Sequence, residues 1–196
     1  MAMIREQGQE QRRPWTTREV AMAGLFAALT AVGAQVSIPL PLGVPFSLQV
    51  LVALLAGAVL GSRAGALSQV IYLLMGAVGL PVFAGRAAGL QVFVGLTGGY
   101  LIGFVLAAWV VGRLTERESP IGVARGALAM AAGLIAIYVP GALVLALHWG
   151  SLSRALYYGV VVYLPVDLIK AVAAFAIARG LEARGIARPG AAPHRA

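Results

Sequence analysis

The chain of 196 residues has one lysine, Lys170, and one aspartate, Asp167. Both fall inside the last long apolar run, Tyr163-Leu-Pro-Val-Asp-Leu-Ile-Lys-Ala171. A spacing of i, i+3 puts them on one face of a helix. Ionisable side chains at membrane depth are expensive and mark ligand or ion pathways. A lysine ammonium can hold a carboxylate as a point charge. An aspartate can accept two N–H groups from a urea- or amide-like ring. The pair therefore suits a ligand with two polar ends. These residues leave two other readings open. Asp167 can couple a carrier to protons, or the pair can be a neutralised contact that only orients helices.

Other candidates are weaker one by one. Val44-Pro-Phe-Ser-Leu-Gln49 places Phe46 and Gln49 after a Pro-rich turn. Gln49 can hydrogen-bond a polar ligand and Phe46 can cover its apolar part, but an interfacial anchor and helix start fit equally. Arg86, in Leu80-Pro-Val-Phe-Ala-Gly-Arg86, can attract an anion or simply face solvent. Thr97-Gly-Gly-Tyr100 puts two glycines beside Tyr100. Glycine permits close approach to a ligand or to a neighbouring helix. Tyr138, Trp149, Tyr157 and Tyr158 are expected mostly in an interfacial aromatic belt. Ala23, Ala27 and Ala31 repeat every four residues, with Gly24 and Ala28 one step on. Such a small-residue stripe lets a second helix approach closely, in a partner or in the same chain.

Several chemistries are excluded. There is no Cys, so no thiol catalysis, disulfide or thiolate metal site. The two His are His148 and His194, too few for a histidine metal centre. Lys170 lies between Ile169 and Ala171, so no Walker A loop exists. No serine sits in a nucleophile elbow. Nothing points to an enzyme, a bound cofactor or a metal.

Composition then sets the class of fold that positions these residues. Hydrophobic residues make up 60% and charged ones 11%; mean hydropathy is +0.88. Soluble domains average about 25% charged. The chain reads as an all-α integral membrane protein in the lipid bilayer, not as a nucleic-acid binder, despite its net charge of +8. The start is polar for too long to resemble a cleaved signal, so the chain is expected to be mature from Met1. Residues 1–16 form a polar tail, 17–183 the membrane domain and 184–196 a basic tail. Six spans are expected at about 17–36, 47–60, 64–80, 92–112, 122–147 and 155–179. Thr16 and Glu19 form a capping box for the first. Gly61-Ser62-Arg63 turns the chain between the second and third. Pro140 bends the fifth and Pro165 interrupts the last. Six spans leave both termini on one side. That side carries Arg5, Arg12, Arg13, Arg18, Arg63, Arg113, Arg117, Arg125, Arg179, Arg184, Arg188 and Arg195. The other carries only Arg86 and Arg154. This asymmetry makes both termini cytoplasmic.

Four segments taken together resemble a known family. They are Val44-Pro-Phe-Ser-Leu-Gln49, Tyr72-Leu-Leu-Met-Gly-Ala-Val-Gly-Leu-Pro-Val-Phe-Ala-Gly85, Thr97-Gly-Gly-Tyr-Leu-Ile-Gly-Phe104 and Leu164-Pro-Val-Asp-Leu-Ile-Lys170. In this order they resemble the biotin-specific S component (BioY) of energy-coupling factor (ECF) transporters. The resemblance implies a six-helix S-component fold in the bacterial plasma membrane, with biotin bound near the outer face. It implies that Asp167 and Lys170 line the biotin site. Asp167 would face the ureido N–H groups, and Lys170 the valerate carboxylate or a neighbouring polar end. It further implies a lid from the 37–48 loop and docking of Ala23, Ala27 and Ala31 on the transmembrane coupling protein (EcfT). Two cytoplasmic ATPases would supply the energy. The chain departs from the family pattern at Leu96, where Pro is usual, and at Val166, where Gly is usual. It lacks the site Asn of some relatives, and Gln49 or Arg86 would serve instead.

Overall fold

The computed structural model describes residues 14–40, 43–116 and 120–185. Arg5, Arg12, Arg13, Arg117, Arg188 and Arg195, and most of both tails, lie outside the described residues. Helix α1 (Thr17–Gln35) opens on the expected capping box. The Glu19 amide donates to Thr16 Oγ1 at 3.1 Å, and the Thr16 amide donates to Glu19 Oε2 at 2.8 Å.

Prolines deny helix to the next segment. It forms a short antiparallel ladder instead: β1 (Ser37–Ile38) pairs with β2 (Phe46–Ser47), Ser37 opposite Ser47 and Ile38 opposite Phe46. This hairpin adds a β element to the expected all-helical architecture.

Helix α2 (Gln49–Ala77) is two limbs rather than one rod. Gly61 breaks it at φ +80°, a left-handed conformation that suits glycine. The limbs fold back on each other. A Cβ on Gly65 would lie 2.9 Å from the Ala56 carbonyl oxygen. Gln49 at one end of α2 bonds Tyr72 near the other at 2.7 Å. A straight helix would hold those two roughly 35 Å apart. The turn is held from α4 (Gly98–Thr115) and its end. Ser62 donates from its amide and hydroxyl to Glu116 Oε2 at 3.1 and 2.8 Å, and Arg113 pairs with Glu116 at 2.8 Å.

The expected fourth span, 92–112, starts later. A single-turn helix α3 (Gln91–Val94) ends at Gly95, and α4 begins at Gly98. The backbone doubles back so tightly that a Cβ on Gly98 would collide with Phe93. Helix α5 (Val123–Trp149) contains Pro140 and ends at left-handed Gly150. Gly103 lets α4 lie directly on α5; a Cβ there would sit 2.7 Å from Ile137 Cα. The last rod is broken. Helix α6 (Leu152–Leu156) runs into a π turn (Tyr157–Val161), and α7 (Leu164–Ala183) follows at a 44° bend. Pro165 sits in the first turn of α7, where its missing N–H is harmless.

The described residues form six helical rods: α1, the two limbs of α2, α4, α5 and the bent α6–α7. Among the described residues, α2, α4 and α5 are each long and apolar enough to cross a membrane, and the bent pair counts as a fourth. The contacts sort the connections into two ends. At one, Arg63 covers the Trp15 ring at 4.5 Å, Ser62 meets Glu116, and the Ile121 amide donates to Glu182. The hairpin and the turns bearing Arg86 and Arg154 lie at the other.

The alanine stripe faces inward in this structure. Ala23 and Ala27 have no exposed surface and Ala31 packs against the core. In this structure the stripe is an internal packing face, chiefly toward α2. Small side chains serve it because they let two helix backbones approach.

Candidate functional site

A cavity of about 660 Å³ opens at the hairpin end. Its size is typical of small-molecule sites, which run roughly 300–1,000 Å³. Its wall comes from the hairpin, α2, the turn at Ala84–Arg86, α4, α5 and α7. The break between α6 and α7 shapes one side. The Asp167 amide donates to the Tyr163 carbonyl, which starts α7 with Asp167 in its first turn. Asp167 and Lys170 are 3% and 8% exposed, and both line the cavity.

The two charges are joined. Lys170 Nζ donates to Asp167 Oδ1 at 2.7 Å. Tyr138, arriving from α5, donates its hydroxyl to Asp167 Oδ2 at 2.7 Å. Both carboxylate oxygens thus have a donor, which offsets part of the penalty of burying the charge. Lys170 Nζ also stands 5.8 Å from the Phe46 ring centroid, and that ring lies 4.7 Å from the Tyr163 ring. The Tyr163 hydroxyl donates to the Val44 carbonyl and so ties the hairpin to the head of α7. Tyr100 donates to the Gly159 carbonyl in the π turn at 2.8 Å.

The remaining expected residues fare differently. Phe46, Gln49 and Tyr100 line the cavity. The Gln49 amide is largely occupied, with Oε1 accepting from Ser47 at 2.8 Å and Nε2 donating to Tyr72 at 2.7 Å. Arg86 is not among the described lining residues, although Gly85 and Ala87 on either side of it are. It is the one non-glycine among the described residues with positive φ, at 62°. The glycines of Thr97-Gly-Gly-Tyr100 serve helix packing; a Cβ on Gly99 would lie 2.2 Å from the Pro140 carbonyl oxygen.

Tyr138 is the exception to the aromatic belt expected for most of these residues: it is 7% exposed and bound to Asp167. One signal marks it: between Arg125 and His148 it is the only residue of α5 with a polar side-chain group. Trp149 and Tyr158, by contrast, meet edge to face near Arg154 at the end of the bundle. No group of three or more potential metal ligands occurs among the described residues.

Comparison with known proteins decides the family. The BioY family model matches residues 7–186. The chain belongs to the BioY family. The biotin transporter BioY of Thermotoga maritima is 45% identical over 167 residues, covering 84% of this chain and 96% of that protein. The biotin transporter BioY of Rhodobacter capsulatus is 48% identical over 129 residues, covering 64% of this chain and 68% of its own length. A solved structure, the S component for biotin from an ECF-type ABC transporter, superposes with a TM-score of 0.77 at 26% identity. That match covers 87% of this chain and 95% of the other. The BioY membership and the structural match both fit a helical membrane bundle.

Proposed function

We propose that this chain is the biotin-capturing S component of an ECF-type transporter, working in the plasma membrane with a transmembrane coupling protein and two ATPases. The observation that carries the reading is the buried Lys170–Asp167–Tyr138 cluster on a cavity of ligand size. All six rods cross the membrane. Both termini lie on the arginine-rich cytoplasmic side and the cavity faces outward.

Lys170 Nζ and Asp167 Oδ1 are only 2.7 Å apart, so they meet one polar end of the ligand, not two. A donor beside an acceptor matches a ureido group: Lys170 takes the carbonyl and Asp167 takes a ring N–H. Phe46 covers the apolar ring. The valerate carboxylate then lies at the far end, toward Gln49 and the turn bearing Arg86. The hairpin is the lid, latched by Tyr163. Docking on the coupling protein falls to the outward row of α1, at Gly24 and Ala28. A Cβ on Gly24 would meet nothing within 4 Å.

Uptake of labelled biotin into cells or proteoliposomes tests the partner requirement. Expected is uptake that needs the coupling protein, both ATPases and ATP. Uptake by this chain alone that follows a proton gradient would replace this reading with the Asp167-coupled carrier.

A further inference from the structure

The turn on one side of the cavity is held stiffly and carries a cation that plays no part in holding it. Phe83 is buried against Gly76, where a Cβ would overlap its ring. Gln35, at the end of α1, donates its side-chain amide to the Val82 and Phe83 carbonyls, both at 3.2 Å. The Phe83 amide donates to the Ala87 carbonyl at 3.1 Å and closes the loop between them. Gly85 and Arg86, inside that loop, both have positive φ, at 67° and 62°. Glycine takes this conformation freely, whereas arginine takes it against the crowding of its Cβ. Such strain persists only where the surrounding structure imposes it, and it gathers at functional positions.

Gly85 and Ala87 line the cavity, so Arg86 stands at its mouth. Its side chain is exposed and has no ion pair, hydrogen bond or ring contact among the described residues. No described acidic group opposes it there. Glu19, Glu116 and Glu182 lie at the opposite end of the bundle, and Asp167 is neutralised by Lys170. Arg154, also at the cavity end, sits over the Trp149 ring at 5.2 Å, and neither residue lines the cavity. The mouth therefore carries one positive charge without a counter-charge.

We propose that Arg86 is a capture residue: its charge, held at the mouth by the strained turn, draws the carboxylate of an anionic ligand toward the cavity and raises its association rate. This rests on the biotin reading above, in which the ligand carries a valerate carboxylate, and deepens it by naming what speeds capture. A charge beside a cleft with low-dielectric walls acts on the on-rate, and salt screens it. One unit charge at roughly 7 Å in water favours an encounter about two- to fivefold at low ionic strength.

The test follows association and dissociation of radiolabelled biotin and of radiolabelled biotin carboxamide, which lacks the charge. The protein is the purified full chain in a neutral detergent. Arg86→Gly removes the cation and suits the positive φ, so its thermal unfolding should stay near that of the wild type. Arg86→Lys keeps the charge. Arg86→Gly should slow biotin association about two- to fivefold at low salt, and the gap should close as salt is raised. Arg86→Lys should recover the rate, and the carboxamide should associate alike with all three proteins. Unchanged biotin association in Arg86→Gly would overturn the proposal. So would an equal slowing of the carboxamide, since a merely structural arginine acts alike on both ligands. A loss confined to dissociation would overturn it too, because Arg86 would then be a contact of the bound state. If the carboxamide does not bind, the salt dependence and the Lys variant decide. A folded wild type that ignores biotin fails the biotin reading and the proposal with it, a result distinct from the others.

Discussion

Lys170 and Asp167 are each other's principal counter-charge, and that makes single substitutions asymmetric. Lys170→Ala leaves a buried carboxylate with only the Tyr138 hydroxyl, and Asp167→Asn leaves a buried ammonium facing an amide. Breaking a buried pair destabilises by about 3–5 kcal/mol. Replacing both with apolar residues of similar volume is often neutral or stabilising. Thermal unfolding in detergent should therefore order the variants with Asp167→Leu/Lys170→Met above either single change. Biotin binding should be absent from all three. A double variant less stable than both singles would mean that the pair stabilises beyond mutual neutralisation. Gln69 poses the opposite case. It donates to Thr30 and Ser68, both at 3.1 Å, while its Oε1 is buried with no partner among the described residues. An orphaned buried acceptor costs about 1–3 kcal/mol. Gln69→Leu loses two bonds but also that penalty. It should shift stability by less than about 1 kcal/mol, far less than the breaking of a satisfied buried pair.

At the scale of elements, the turn between the limbs of α2 is where local chemistry fixes the architecture. Burial pushes the Glu116 carboxyl up, but hydrogen bonds from Arg113 and from the Ser62 side chain and backbone outweigh it and hold the group below its ordinary value. A carboxyl with a depressed folded pKa stabilises fully above its unfolded value and loses that contribution as pH falls through the folded one. The wild type should lose stability as pH drops below about 4.5, and Glu116→Gln should show a shallower loss over that window in thermal unfolding. This turn was legible in Gly61-Ser62-Arg63, and the capping box in Thr16 and Glu19, because glycine and cap preferences are local. The break at Pro165 was legible for the same reason. The β1–β2 hairpin and the late start of α4 were not. A two-residue ladder has no period to read, and Gly95 to Gly98 break a run that stays apolar throughout. The inward facing of Ala23 and Ala27 was hidden too. The residues of α1 are apolar nearly all round, so periodicity cannot say which face meets protein and which meets lipid. Docking through the proposed outward row of α1 predicts that Gly24→Leu lowers energised uptake strongly while leaving biotin binding to the isolated chain unchanged.

Among the described residues, Arg63, Arg113 and Arg184 lie at the end of the bundle away from the cavity, and the proposed orientation in the membrane rests on that. The absence of cysteine makes it directly checkable. A single cysteine at Ser151 should react with an impermeant thiol reagent applied outside intact cells. One at Arg184 should react only after the membrane is opened. Both reacting from outside would overturn the cytoplasmic termini. Of the site, Asp167 and Lys170 were legible because charge is rare in this chain. Tyr163 and Tyr138 were not, because their roles depend on bonds across 119 and 29 residues of sequence. The central claim is that this bundle holds biotin on that cluster without its energising partners. Calorimetric titration of the purified chain with biotin, and with thiamine and riboflavin beside it, tests this most directly. The account predicts saturable binding of biotin alone, near one per chain, without ATP, and lost in Lys170→Ala. No heat with biotin from a folded sample, or undiminished binding by a folded Lys170→Ala variant, would contradict it.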